Sequence, residues 1–479
     1  MEKGYLAELL RSLSLAERAA LRKYLISPYH NARADVLALF DCLCALPGAR
    51  ADRNTVYSSV FQGKPFDARQ LNYVSSYLCK LVESFIAQRE WDADADTRGL
   101  YLLHGLRRRR LNHLAERAVR AIEKRAEKQP RRDAAYFRQR HAVAFEQLRG
   151  HLQQGRARNF DFDALTEAHE KAFVYEKLKL GCMLQSRQTV ASREYDAGFL
   201  RVVLDFLRQH PWLEEPAIAA WYYGYFVQTD GGATEQFERL KDLIVRHGAL
   251  LPEDERHDLF LLAINFCIRR INSGDADFSK DLFDLYREGL LQGVLLENGA
   301  LSRWSYNNIV NSALKMGETE WALQFLEDYR PRLEPAFRDT TYYFNLARCL
   351  YEKGDHAAAL ACLTRIEYDD ILQNLSAKTL QMKIYYDTEA WQALDSLLDS
   401  TAIYLRRKKV LGYHRENFSN IVRFMQRLVA LPPGNSSAHE TLRQDLENCK
   451  VLSEKGWFLQ KVGKSQGKRI KTGNDLGIV

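Results

Sequence analysis

The sequence predicts an all-α protein: a right-handed α-solenoid of antiparallel helix pairs preceded by an N-terminal helical bundle. Three observations predict it. A helix-pair pattern recurs three times near the C-terminal end, with Ala322, Ala359 and Ala393 spaced 37 and then 34 residues apart and Gly317 and Gly354 at the intervening turns. Such a period is that of stacked helix pairs, in which a small residue lets the second helix press on the first. Pro is scarce, at 11 of 479 residues, and Gly modest at 26, so helix-forming stretches run long without a break. No region alternates apolar and polar residues as a set of strands would.

The first 95 residues read as a bundle of four helices. Ser14 and Glu17 have capping-box spacing and open a helix to Ile26, where Ser27-Pro28 stops it. A second helix spans Ala34 to Leu46 before Pro47-Gly48, and a third spans Asn54 to Phe61 before Gly63-Lys-Pro65. Asp67 then caps a long helix with Leu71, Val74, Leu78, Val82 and Phe85 at helical spacing. Residues 96–300 form a divergent helical-repeat region, with breaks at Asn112, Pro130, Gly155, Ser192, Pro211, Gly231-Gly232, Pro252, Gly274 and Gly299. Residues 301–432 carry the repeats, 433–455 a terminal helix, and 456–479 a flexible basic tail with five Gly among its lysines.

The repeats have the spacing of tetratricopeptide-like units. Tyr306, Ile309 and Val310 precede Gly317 and Ala322; Tyr343, Leu346 and Ala347 precede Gly354 and Ala359. Ala377, Leu380 and Ile384 precede Ala393, with Thr388 where the turn glycine would stand. Along nearly its whole length the chain also resembles an uncharacterised bacterial family of all-helical proteins. That likeness rests on Ser27-Pro-Tyr-His-Asn31, Val56-Tyr57 with Val60-Phe61, Ala263-Ile-Asn-Phe-Cys-Ile-Arg-Arg-Ile-Asn272 and Leu405-Arg-Arg-Lys-Lys409. The resemblance implies architecture and carries no activity.

Little points to chemistry. Met1 to Ala20 is interrupted by Glu2, Glu8, Arg11 and Glu17, and the apolar window Leu259 to Ile268 is about half a membrane span, so a cytoplasmic protein is expected. Eight cysteines without a C-x-x-C pair fit a reducing compartment. His169-Glu170 and His439-Glu440 lack the second histidine of a zinc helix, and Gly463-Lys464-Ser465 lacks the glycine and the strand of a phosphate loop. The aromatic run Trp221 to Phe226 faces all round a helix and reads as core. No cofactor, metal or catalytic residue is expected.

Two surfaces suggest binding. In arrays of this kind the concave face is lined by the first helices of the pairs, which makes Asn307, Asn308, Asn311, Asn345, Arg348, Lys378 and Lys383 candidate contacts for a protein or peptide partner. The expected function is therefore a scaffold for protein–protein interaction. The alternative lies in the charge. Arg98 to Arg158 holds 17 Lys and Arg against 5 Asp and Glu, a net of +12 in a chain of +7. Within it Arg110, His113, Arg117, Arg120, Lys124 and Lys128 share one helix face opposite Leu111, Leu114, Ala118 and Ile122. Such a stripe suits nucleic acid or another polyanion.

Overall fold

The computed structural model describes residues 5–45, 53–154, 160–191, 193–231, 233–365, 370–407, 412–432 and 435–467. Among them every regular element is helical, and the one bridge pair is Glu297 with Ala300. The expected breaks at Pro47-Gly48, Gly155, Ser192 and Gly232 lie outside the described residues, as do Lys408 and Lys409. None of the described helices is long and apolar enough to cross a membrane. The chain divides into two compact units, Met1–Glu176 and Lys177–Val479.

The first unit opens with α1 (Tyr5–Ser12), α2 (Leu15–Ile26), α3 (Ala34–Ala45), α4 (Arg53–Val60) and α5 (Ala68–Ala93). That is five helices where the sequence suggested four. The short α1 escaped notice, yet Leu10 and Leu13 join the core formed by Leu21, Val36, Val56, Val74 and Leu78. Capping residues act as expected: Ser14 Oγ accepts from the Glu17 amide at 3.2 Å while its own amide donates to Glu17 at 2.8 Å. Asp67 accepts from the Arg69 amide at 2.8 Å. Next come α6 (Ala95–Arg108), α7 (Asn112–Lys128) and α8 (Ala134–Gln153), which share a smaller core of Leu103, Ala115, Val119, Ile122 and Val143. The division into units falls in α9 (Phe162–Ala191).

The second unit contains α10 (Leu200–Gln209), α11 (Pro216–Thr229), α12 (Thr234–Arg246), α13 (Glu253–Asn272) and α14 (Phe278–Leu291). The run Trp221 to Phe226 falls on α11, where Trp221 is buried and donates from Nε1 to Glu255 at 3.0 Å. There follow α15 (Arg303–Lys315) and α16 (Thr319–Tyr329), α17 (Arg338–Glu352) and α18 (His356–Thr364), α19 (Ile371–Asp387) and α20 (Trp391–Arg407). The chain continues through α21 (Gly412–Val429), α22 (Ser436–Asn448) and α23 (Lys455–Gly467). Each of α15, α17 and α19 packs on its following helix, and α15, α17, α19 and α21 also pack side by side in that order.

One backbone turn joins these pairs. After α15, Gly317 has φ +76° and the Glu318 amide reaches back to the Ala313 carbonyl at 2.9 Å; after α17, Gly354 has φ +82° and Asp355 reaches Leu350 at 2.9 Å. After α19 the left-handed position belongs to Glu389, φ +56°, with Ala390 reaching Tyr385 at 2.9 Å. The third turn is thus centred one residue later than Thr388, and the spacing becomes 37 and then 35. The wholly buried residue five positions on is Ala322, Ala359 and Leu394 in turn, so Ala393 is corrected: it is exposed. The same turn follows α13 at Gly274 and α6 at Arg110, whose φ is +58°.

A side chain in this conformation costs about 1–2 kcal/mol. Glu389→Gly should therefore raise stability by about 1 kcal/mol once glycine's own entropy is offset. The check is the midpoint of urea unfolding; a midpoint unchanged or lowered would contradict the left-handed turn.

The expected flexible tail needs correction over its first part. Residues 455–467 form α23, on which Phe458 and Val462 are buried against the core of Leu398, Phe424, Met425 and Leu446. Three apolar side chains, Trp457, Phe458 and Val462, outweigh the lysines and glycines around them because they fall on one side of a helix.

Candidate functional site

The side-by-side helices α15, α17, α19 and α21 form the floor of a groove in the second unit, with a volume of about 560 Å³. From α15 come Trp304, Asn307, Asn308, Asn311 and Lys315; from α17, Phe344, Arg348 and Tyr351; from α19, Ser376, Thr379 and Lys383. Phe418 and Ile421 of α21 and the Ser453-Glu454 turn before α23 complete it. Helical stride explains the selection: residues three and four apart share a face, so each helix offers one row.

Five of the seven residues proposed from the sequence, Asn307, Asn308, Asn311, Arg348 and Lys383, meet here. Two do not. Lys378 lies across α19 from the row of Ser376, Thr379 and Lys383, where burial lowers its ammonium pKa. Asn345 is buried completely, turned from the groove toward α15. Its Nδ2 donates to Asn307 Oδ1 at 2.5 Å and to the Thr341 carbonyl at 2.8 Å, and its Oδ1 accepts from Arg348 at 3.2 Å. It supports the site from behind.

That support orders the polar wall. Arg348 also donates to Asn311 Oδ1 at 2.7 Å, so the oxygens of Asn307 and Asn311 are both engaged by α17. Their amide NH2 groups are left to the groove as donors. Burial pushes the Arg348 guanidinium below its usual range, and Glu454 opposes that shift. Asn308 is exposed and hydrogen-bonds Tyr286, whose ionisation burial suppresses.

At the far end of the groove Lys383 joins a network of residues that sequence reasoning missed. Lys383 donates to Glu454 at 3.0 Å and lies 5.0 Å from the Tyr351 ring centre. Tyr351 donates to Asp387 at 2.7 Å and accepts from Trp457 Nε1 at 2.7 Å, while Lys461 pairs with Asp387. Burial, with Asp387 next, raises the Tyr351 pKa well above that of a free phenol. These partners lie up to 106 residues apart, and no local motif announces them. The exposed Trp304 at the other end was legible only as one aromatic among many.

Another cavity, between α12 and α14, is lined by charges that mostly satisfy one another. Lys241 pairs with Glu238 and with Asp281 at 2.7 Å each, and Arg246 with Asp242 at 2.7 Å.

Chemistry is sparse elsewhere. No group of three potential metal ligands occurs among the described residues, and all eight cysteines are free thiols. Burial pushes Cys349 up to about 12 and Cys182 and Cys267 higher still, away from nucleophilic use. His439 is buried with its Nδ1 at 2.9 Å from the carbonyl of Asn435, the N-cap of its own helix.

The basic residues of the first unit hold their place with two adjustments. Arg117, Arg120, Lys124 and Lys128 are exposed along α7. Arg110 precedes the helix, in the left-handed turn after α6. The buried face is Ala115, Val119 and Ile122, whereas Leu111 and Leu114 are each 37% exposed, a phase shift of one residue from the face read in the sequence. No family model matches the chain, and neither a curated protein nor a solved structure is recognisably similar to it.

Proposed function

We propose that the chain is a non-catalytic, tetratricopeptide-like scaffold that binds an extended segment of a protein partner along the groove floored by α15, α17, α19 and α21. One observation carries the reading: five polar residues chosen from the sequence as contacts line a single groove whose amide donors are held in place by a buried network. Four helices at spacings of about 8–10 Å give a floor of about 25–30 Å, room for about eight residues of extended chain. Amide NH2 groups of Asn307 and Asn311 suit backbone carbonyls, and Trp304, 60% exposed at one end, is the natural aromatic anchor.

The test begins with peptides selected from a random display library on the full chain. Calorimetry should show Trp304→Ala weakening the selected peptide at least about tenfold with the melting temperature unchanged, since the ring is exposed in the free protein. Asn308→Ala should weaken it less. If Trp304→Ala and Asn308→Ala both bind as the wild type does, the groove is not the site.

A further inference from the structure

We infer that α7 and the turn before it form a rail for the phosphodiester backbone of single-stranded nucleic acid, a surface separate from the groove and independent of its role. At 100° per residue, His113, Arg117, Arg120, Lys124 and Lys128 fall within an arc of about 80°, and they span about 22 Å of helix axis. All five are exposed. Among the described residues neither they nor the Arg110 side chain makes an ion pair or hydrogen bond. The contrast on the same helix is Arg125, which pairs with Asp96 at 3.3 Å. The row can therefore meet a ligand without breaking an internal ion pair.

The edges of the row select the ligand. Glu116, Glu123 and Glu127 line one edge; Leu114 and Ala121 line the other. A row one cation wide, bounded by carboxylates, fits one line of phosphates and repels a second. Duplex DNA and an anionic bilayer both present charge across a broader front, which meets the glutamates as well as the cations. Bases of a single strand, by contrast, lie away from the acids, over Leu114 and Ala121.

Arg110 extends the row by one cation. It occupies a left-handed turn position that glycine fills in three of the five equivalent turns, Gly274, Gly317 and Gly354. Packing imposes this turn on Arg110 as it does on Glu389, so what Arg110 brings to the row is an exposed, unpaired guanidinium just before α7.

The experiment is fluorescence anisotropy of the full chain with labelled oligothymidylate. Five charged contacts give a salt slope of about −3.5, so affinity should fall about 100-fold between ~50 and ~200 mM salt. Arg117→Gln/Arg120→Gln/Lys124→Gln should reduce the slope to about −1.4 and weaken binding accordingly, with helical circular dichroism unchanged. Arg110→Gly should bind about threefold more weakly and yet unfold later in urea, a pairing that a purely structural arginine would not give. The rail is refuted if the wild type does not bind at low salt, if the triple variant binds equally well, or if a duplex or anionic vesicles compete better than the single strand.

Discussion

Phe458→Ala is expected to destabilise the C-terminal end of the second unit by about 3–5 kcal/mol. The ring is 1% exposed, its centre 6.2 Å from that of Phe424, and Val462 is buried beside it one helical turn on. Losing it opens a cavity beneath α23 that its neighbours cannot close without moving the helix. The polar contacts around it then loosen together, because Trp457 to Tyr351, Lys461 to Asp387 and Lys383 to Glu454 all depend on α23 or the turn before it. Hydrogen exchange read by mass spectrometry is the appropriate measurement, since stacked helices unfold in parts and one melting temperature would average them. Amides of α21 to α23 should lose most of their protection while those of α11 to α13 keep theirs. Gln460→Ala, on the exposed side of α23, is the control and should change nothing. Protection of α23 unaltered in Phe458→Ala would return residues 455–467 to the flexible tail that their composition suggests.

That outcome bears on what a sequence of this kind displays. Capping signals were legible because they are local: Ser14 with Glu17 and Asp67 with Arg69 complete their hydrogen bonds within three residues. Turns with glycine, at Gly317 and Gly354, were legible for the same reason. The third turn was not, because packing of the pairs imposes the left-handed position on whichever residue arrives there, and a glutamate tolerates it at a cost. The phase of the repeat then slipped by one, from Leu394 to Ala393. For α7 the basic face and Ile122 were placed, yet the rest of the buried side was misplaced by one residue, Ala115 and Val119 being buried where Leu114 and Ala118 were expected. In the groove, helical stride places Asn307, Asn308 and Asn311 along one wall. The wall made by Ser453 and Glu454 stayed hidden, because it is joined to α17 and α19 only by the fold.

Asn345→Ala should show which side of α17 this asparagine serves. As a groove contact its loss would weaken partner binding alone; buried as it is, its loss should cost about 2–4 kcal/mol in stability. Two donors and one acceptor disappear at once. The Asn307 oxygen and the Thr341 carbonyl lose a partner, and Arg348, already below its usual pKa through burial, keeps only its bond to Asn311 among the asparagines. Asn345→Leu should be no better, since it fills the volume but leaves the same groups unpaired beside a cation. Asn345→Asp should recover part of the loss, because a carboxylate strengthens the contact with Arg348 while repelling the Asn307 oxygen. The order of stability, wild type above Asp and Asp above Ala and Leu, is read from urea unfolding followed by helical circular dichroism. Peptide affinity should fall in the same order, since without Asn345 and Arg348 in register the amides of Asn307 and Asn311 turn freely. Melting that is unchanged in Asn345→Ala would mean that the network does not hold the wall, and the pre-set amide donors on which the groove reading rests would go with it.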